Sequence, residues 1–142
     1  YVLCYKYDAQ NAELEFIDQY LTVTEDLIYN KKNPFFDCAH PSDIKIHPNG
    51  KLLYVANRGP NTISIFMIDV NDGKLTFLQE ISAKGEMPWS FALDSEGHYM
   101  YVGNKDSNNI TIFSLDEDGI PEFKSEMTNI LRLVCLKFLE ID

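Results

Sequence analysis

One segment of this chain occurs twice, and that repeat limits the fold more than any other feature. Residues 44–69 read IKIHPNGKLLYVANRGPNTISIFMID, and residues 91–116 read FALDSEGHYMYVGNKDSNNITIFSLD. The copies align at an offset of 47 residues without a gap. Nine of the 26 positions are identical: Gly50/Gly97, Tyr54/Tyr101, Val55/Val102, Asn57/Asn104, Asn61/Asn108, Ile63/Ile110, Ile65/Ile112, Phe66/Phe113 and Asp69/Asp116. Short apolar alternations bounded by turn formers make each copy a set of strands. The first copy parses as strands at 43–47, 51–56, 62–69 and 74–81, the second as strands at 90–94, 98–103, 109–116 and 121–126. Turn chemistry separates them at Pro48-Asn49-Gly50, 57–61 and Asn71-Asp72-Gly73, then at Ser95-Glu96-Gly97, 106–108 and 116–119.

Four antiparallel strands every ~45 residues is the period of a β-propeller blade. A β-sandwich spaces its strands similarly but has no reason to repeat its sequence at a constant offset, whereas blades do. The expected fold class is therefore all-β, a fragment of a propeller. Partial copies flank the full ones. Residues 2–16 align with 63–77, placing Asp8 on Asp69, Leu14 on Leu75 and Phe16 on Phe77. The expected organisation is the last two strands of a blade (1–18), a long loop (19–39), two full blades (40–86 and 87–128) and the opening strand of the next (129–142). A ring needs more copies than this. The chain opens at Tyr1 inside an apolar alternation, as a piece of a longer protein would, and its uncovered blade faces favour self-association.

Composition narrows the partners. At 45% apolar and 13% aromatic the chain can bury a core. A net charge of −10 argues against nucleic acid or an anionic membrane surface, since both need a basic patch. No apolar run approaches the ~18 residues of a membrane span. Cys4, Cys38 and Cys135 are odd in number and show no CxxC spacing, which fits reduced thiols in a cytoplasmic protein. Cys4 and Cys135 lie in apolar alternations and read as core residues. The run Asp116-Glu117-Asp118 lacks the ligand spacing of an EF-hand, and no GxSxG, HExxH or P-loop is present. Neither a metal nor a cofactor is expected.

Propeller topology puts two sets of loop residues on one face, near the central channel. The first set is His40-Pro41-Ser42-Asp43 and its equivalent Met87-Pro88-Trp89-Ser90, in which Pro41 matches Pro88. The second is Asn57-Arg58-Gly59 and Asn104-Lys105-Asp106. Arg58 and Lys105 thus hold equivalent positions on adjacent blades. An Arg fork grips carboxylate or phosphate at two points and Lys adds a point charge, so a small anionic ligand is expected there. The alternative is a pair of exposed turn residues neutralised by neighbours such as Asp43 and Asp106. Asn57 and Asn104 end the second strands. They are candidates for substrate contact, or they serve turn geometry, because Asn tolerates positive φ. Asp69 and Asp116 read as turn residues. His47 starts a turn on the opposite face, and His98 follows the Gly97 turn there.

The run from His47-Pro48-Asn49-Gly50 through Leu53-Tyr54-Val55-Ala56-Asn57-Arg58-Gly59, followed by Ile63-Ser64-Ile65-Phe66, Asp69, Gly73 and Leu75, resembles one family closely. That is the seven-bladed lactonase family, which includes propeller-type 6-phosphogluconolactonases and the fungal carboxymuconate cyclases. The resemblance covers nearly all of the chain and less than half of a whole family member. Val134-Cys135-Leu136-Lys137-Phe138 is similar to the family's C-terminal strand, which implies a place in the C-terminal part. Two segments depart from the family pattern. Its Pro-Arg-x-Phe is here Pro88-Trp89-Ser90-Phe91, and its Ala-Asn-Gln is here Gly103-Asn104-Lys105.

The resemblance implies hydrolysis of an anionic sugar lactone by the full-length protein. Arg58 would stabilise developing negative charge and His40 would act as base, since imidazole titrates near neutrality. His40 could equally be a plain loop residue. Lys105 would bind substrate. Trp89 would line the site as a sugar-stacking platform, or it would pack between blades. The acid that the family brings on an Asn-Glu segment of the preceding blade lies outside the chain, so the fragment is expected to be inactive. The alternative is a non-catalytic propeller that serves as a binding or scaffold module.

Overall fold

The computed structural model describes residues 1–23 and 39–139, and it is built of strands. Strands β1 (Val2–Asp8) and β2 (Glu13–Tyr20) form a hairpin. Strands β3 (His40–Ile46), β4 (Leu52–Arg58), β5 (Thr62–Ile68) and β6 (Leu75–Ser82) form one four-stranded antiparallel sheet in chain order. Strands β7 (Pro88–Leu93), β8 (Tyr99–Asn104), β9 (Asn109–Leu115) and β10 (Pro121–Thr128) form a second. These are the all-β, four-stranded units that the repeat implies. The long loop expected over 19–39 is shorter at its start, because β2 continues to Tyr20; residues 24–38 lie outside the described ones.

The two sheets share a core because β4 is buried on both faces. Alternate residues of a strand point to opposite sides. Leu52, Tyr54 and Ala56 therefore join Ile63, Ile65, Phe91, Met100, Val102 and Phe113 between the two sheets. Leu53 and Val55 face the other way, toward Val2, Phe66 and Leu75, and fasten the hairpin to the first sheet. A strand buried on both sides must be apolar throughout, which is why residues 52–56 read as an unbroken run. By contrast the β1–β2 hairpin leaves Leu3, Tyr5, Tyr7, Leu14 and Phe16 exposed.

Polar contacts fasten one sheet to the next. His47 is buried, its Nδ1 accepts the Asn49 N–H at 3.2 Å, and its Nε2–H therefore donates to the Gly97 carbonyl at 3.1 Å. The expectation of a simple turn-starting histidine is thus extended: the ring joins two turns 50 residues apart. His98 is exposed and pairs with Glu96 at 3.1 Å. Tyr54 Oη–H donates to the Gly119 carbonyl at 2.6 Å, and burial, with the nearby Asp116 carboxylate, pushes its phenol pKa well up. Asp43 accepts from Ser90 Oγ–H and Phe91 N–H, each at 3.0 Å, and from Lys45. Burial raises the Asp43 pKa, but Lys45, the Phe91 amide and the Ser90 hydroxyl outweigh it and hold the carboxyl below the usual aspartate range.

Residues 129–139 hold the place of the expected opening strand without forming a ladder. They follow the same route that β7 follows beside β3. Ile130 N–H donates to Asn108 O at 3.0 Å, as Ala83 N–H donates to Asn61 O at 2.9 Å. Leu136 N–H donates to Ser90 Oγ at 3.3 Å, as Phe91 N–H donates to Asp43. Strand geometry needs a partner ladder, and among the described residues none is paired to this segment. For the same reason Cys135, expected in the core, is exposed. Cys4 is partly buried, and burial, helped by Asp18, raises its thiol pKa. Cys38 lies outside the described residues.

Candidate functional site

The residues expected on one face come from strand ends that the ladders force together. His40 pairs with Arg58 in the β3–β4 register, and Pro88 pairs with Asn104 in the β7–β8 register. Each inner strand therefore begins where the next strand ends. β3 starts three residues earlier than the sequence suggests, because a β-bulge at Ser42 lets Pro41 and His40 continue the pairing. The same bulge recurs 47 residues on, at Trp89.

The Trp89 bulge turns the indole toward two cations. The Arg58 guanidinium carbon lies 4.6 Å from the ring centroid and Lys105 Nζ lies 4.8 Å from it. Arg58 comes from the first sheet; Trp89 and Lys105 come from the second. Arg58 Nε–H also donates to the His40 carbonyl at 3.4 Å. His40 is exposed and sits directly opposite Arg58. Four of the six expected residues thus converge. Trp89 is half-buried, with a cation from each sheet over its ring. Of the two carboxylates suggested as partners, Asp106 lies 3.5 Å from Lys105, while Asp43 is engaged by Lys45 instead of Arg58.

Asn57 and Asn104 are corrected on both counts. Each is fully buried, so neither can touch a ligand. Neither takes a left-handed backbone; Asn61 and Asn108 do, at φ 59° and 54°. Asn57 Nδ2–H donates to Ser64 Oγ at 2.8 Å and to Thr22 O at 3.3 Å, and the Ser64 hydroxyl donates to the same carbonyl. Asn104 Nδ2–H donates to Thr111 Oγ1 at 3.2 Å and to Ala83 O at 3.5 Å, and the Thr111 hydroxyl donates to Ala83 O at 2.8 Å. Each Asn therefore clasps the connection that enters its own sheet.

Sequence reasoning also missed what holds the Trp89 loop. Asn61 Oδ1 accepts the Met87 N–H at 2.9 Å, and Met87 O accepts the Lys105 N–H at 3.0 Å. Asn61 was visible only as a repeated turn residue. Asp69 and Asp116 do serve turns: Asp69 Oδ1 accepts Asn71 N–H at 2.9 Å, and Asp116 Oδ1 accepts Ile120 N–H at 2.7 Å. Among the described residues, no group of three or more His, Cys, Asp or Glu is placed to hold a metal ion.

Comparison with known proteins agrees with this architecture. A family model described as a seven-bladed β-propeller lactonase matches residues 1–138. A 6-phosphogluconolactonase of Formosa agariphila is 39% identical over 93 residues, covering 64% of this chain and 24% of that protein. A 6-phosphogluconolactonase of Bacillus subtilis is 28% identical over 106 residues, covering 74% of this chain and 30% of that protein. A crystal structure of a Lactobacillus plantarum protein superposes with a TM-score of 0.84 at 30% identity, covering 97% of this chain and 38% of the other. The matched region is thus about a third or less of each curated relative's length.

Proposed function

The chain belongs to the seven-bladed β-propeller lactonase family, and we propose that it contributes part of the active face of a lactonase that opens a sugar-acid lactone, 6-phosphogluconolactone being the substrate suggested by the names of its relatives. The observation that carries the reading is the meeting of Arg58 and Lys105, from two sheets, around Trp89. On a chain of net charge −10, a paired positive site at strand ends suits an anionic ligand.

In this reading water adds to the lactone carbonyl and the ring C–O bond breaks, leaving a carboxylate and a free hydroxyl. Arg58 stabilises the oxyanion that develops on the carbonyl oxygen. His40, across the ladder from Arg58, takes the proton of the attacking water and returns it to the leaving ring oxygen. Lys105 and Trp89 complete the binding surface. The activity proposed is that of the whole protein.

The test is hydrolysis of 6-phosphogluconolactone by the full-length protein and its Arg58→Ala variant. The variant is expected to lose about 10²–10³ in kcat/KM. Equal rates for the two proteins would remove Arg58 from the mechanism. A second reading, a non-catalytic propeller that binds an anion, is favoured by Trp89 standing where the family carries Arg. Saturable ligand binding without turnover would select it.

A further inference from the structure

Trp89 is the extra residue of a bulge, and bulges re-aim side chains. Its indole lies within cation–π reach of two charges from different sheets. Both cations lie within 5 Å of one ring centre, so they are less than about 10 Å apart and repel one another. The electron-rich ring offsets part of that repulsion, and an oxyanion held by both would offset more.

Two other lysines in this fold hold carboxylates closely: Lys45 has Asp43, and Lys74 has Asp72 at 2.8 Å. The two cations at Trp89 are less well matched. Among the described residues Lys105 has only Asp106, at 3.5 Å and 47% exposed, a weak pair. Among the described residues, no carboxylate lies within salt-bridge distance of Arg58. The bulge itself does not require an indole. At the equivalent position Ser42 occupies it, its hydroxyl donating to Pro88 O at 2.6 Å.

We propose that Trp89 is a positioning residue that holds Arg58 and Lys105 as a two-cation seat for one oxyanionic group of the ligand, a phosphate or a carboxylate. The proposal rests on the anionic-ligand reading above but not on hydrolysis.

Trp89 can report on its own site. In the full-length protein its fluorescence is isolated as wild type minus Trp89→Phe. Titration at constant ionic strength uses inorganic phosphate, acetate as the carboxylate arm and chloride as control. A saturable change with phosphate or acetate, and none with chloride, is expected; the tighter of the two identifies the group. Arg58→Gln and Lys105→Gln should each weaken that binding by about tenfold or more. Calorimetry then reads the Trp89 variants against wild type. Trp89→Leu should weaken binding about tenfold, whereas Trp89→Phe, which keeps an aromatic face, should stay within about threefold. A flat response to both anions overturns the proposal, and so does wild-type affinity in Trp89→Leu. A protein that binds phosphate in this way without opening the lactone keeps the seat and loses the hydrolase reading. Turnover without a Trp89 response does the reverse.

Discussion

The two four-stranded sheets are copies of one unit, and they differ where chemistry would be. At matched positions they use the same devices. Asn57 with Ser64 and Asn104 with Thr111 clasp the carbonyls of Thr22 and Ala83. Asn61 and Asn108 both take the left-handed turn and receive the next connection through their carbonyls. At the bulge the copies diverge: Ser42 in one, Trp89 in the other. One residue on, Asp43 faces Ser90, so a charged latch is matched by a neutral one. The shared asparagines belong to the scaffold, and the bulge where the copies part belongs to the candidate site.

The largest expected effect lies in the shared devices. A Cβ added at Gly85 would come within 2.3 Å of Asn104 Nδ2. Gly85→Ala should therefore cost about 2–3 kcal/mol, by overpacking against a buried carboxamide. Asn104→Ala alone should cost about 1–3 kcal/mol, because buried partners lose their hydrogen bonds. If close approach to Asn104 is the reason for the glycine, the double variant is less than additive in urea unfolding. Strict additivity would mean that Gly85 matters for some other reason.

A smaller effect separates the two latches. Asp43→Asn should cost about 1–2 kcal/mol and Ser90→Ala somewhat less, since hydrogen bonds to a charged acceptor are the stronger kind. The Asp43 carboxyl titrates below its unfolded value of ~3.9. Its stabilisation is therefore complete above that value and is lost as pH falls through the lower folded one. Unfolding midpoints followed from about pH 6 to pH 2 should drop less steeply in Asp43→Asn than in wild type. Ser90→Ala, which removes one of the donors that lower the Asp43 pKa, should flatten that curve only in part. Parallel curves for all three proteins would show that the latch does not depend on charge.

The fold was legible because a repeat reports spacing twice. The offset of 47 placed the strands, their turns and the face that gathers Arg58, Trp89 and Lys105. Two kinds of feature were not legible. Asn57 and Asn104 looked like turn or ligand residues because an Asn at a strand end serves either role in sequence; only burial shows that the carboxamide turns inward. Trp89 was read as packing or stacking. Which cations reach an indole depends on how adjacent sheets are set against each other, and no local pattern encodes that. Residues 131–139 have the apolar pattern of a strand but no ladder, since pairing belongs to two segments and a pattern to one.

Asn57 and Arg58 are neighbours on β4, one assigned to scaffold and one to site, so their alanine variants are compared side by side. The decisive measurement is kcat/KM for 6-phosphogluconolactone per folded full-length molecule, taken beside the unfolding free energy of each variant. Arg58→Ala should lose about 10²–10³ in kcat/KM and stay within about 0.5 kcal/mol of wild type. Asn57→Ala should lose about 1–3 kcal/mol of stability and keep the kcat/KM of its folded fraction. Loss of activity in Asn57→Ala at full stability, or an Arg58→Ala defect that only follows unfolding, would contradict the division between the two.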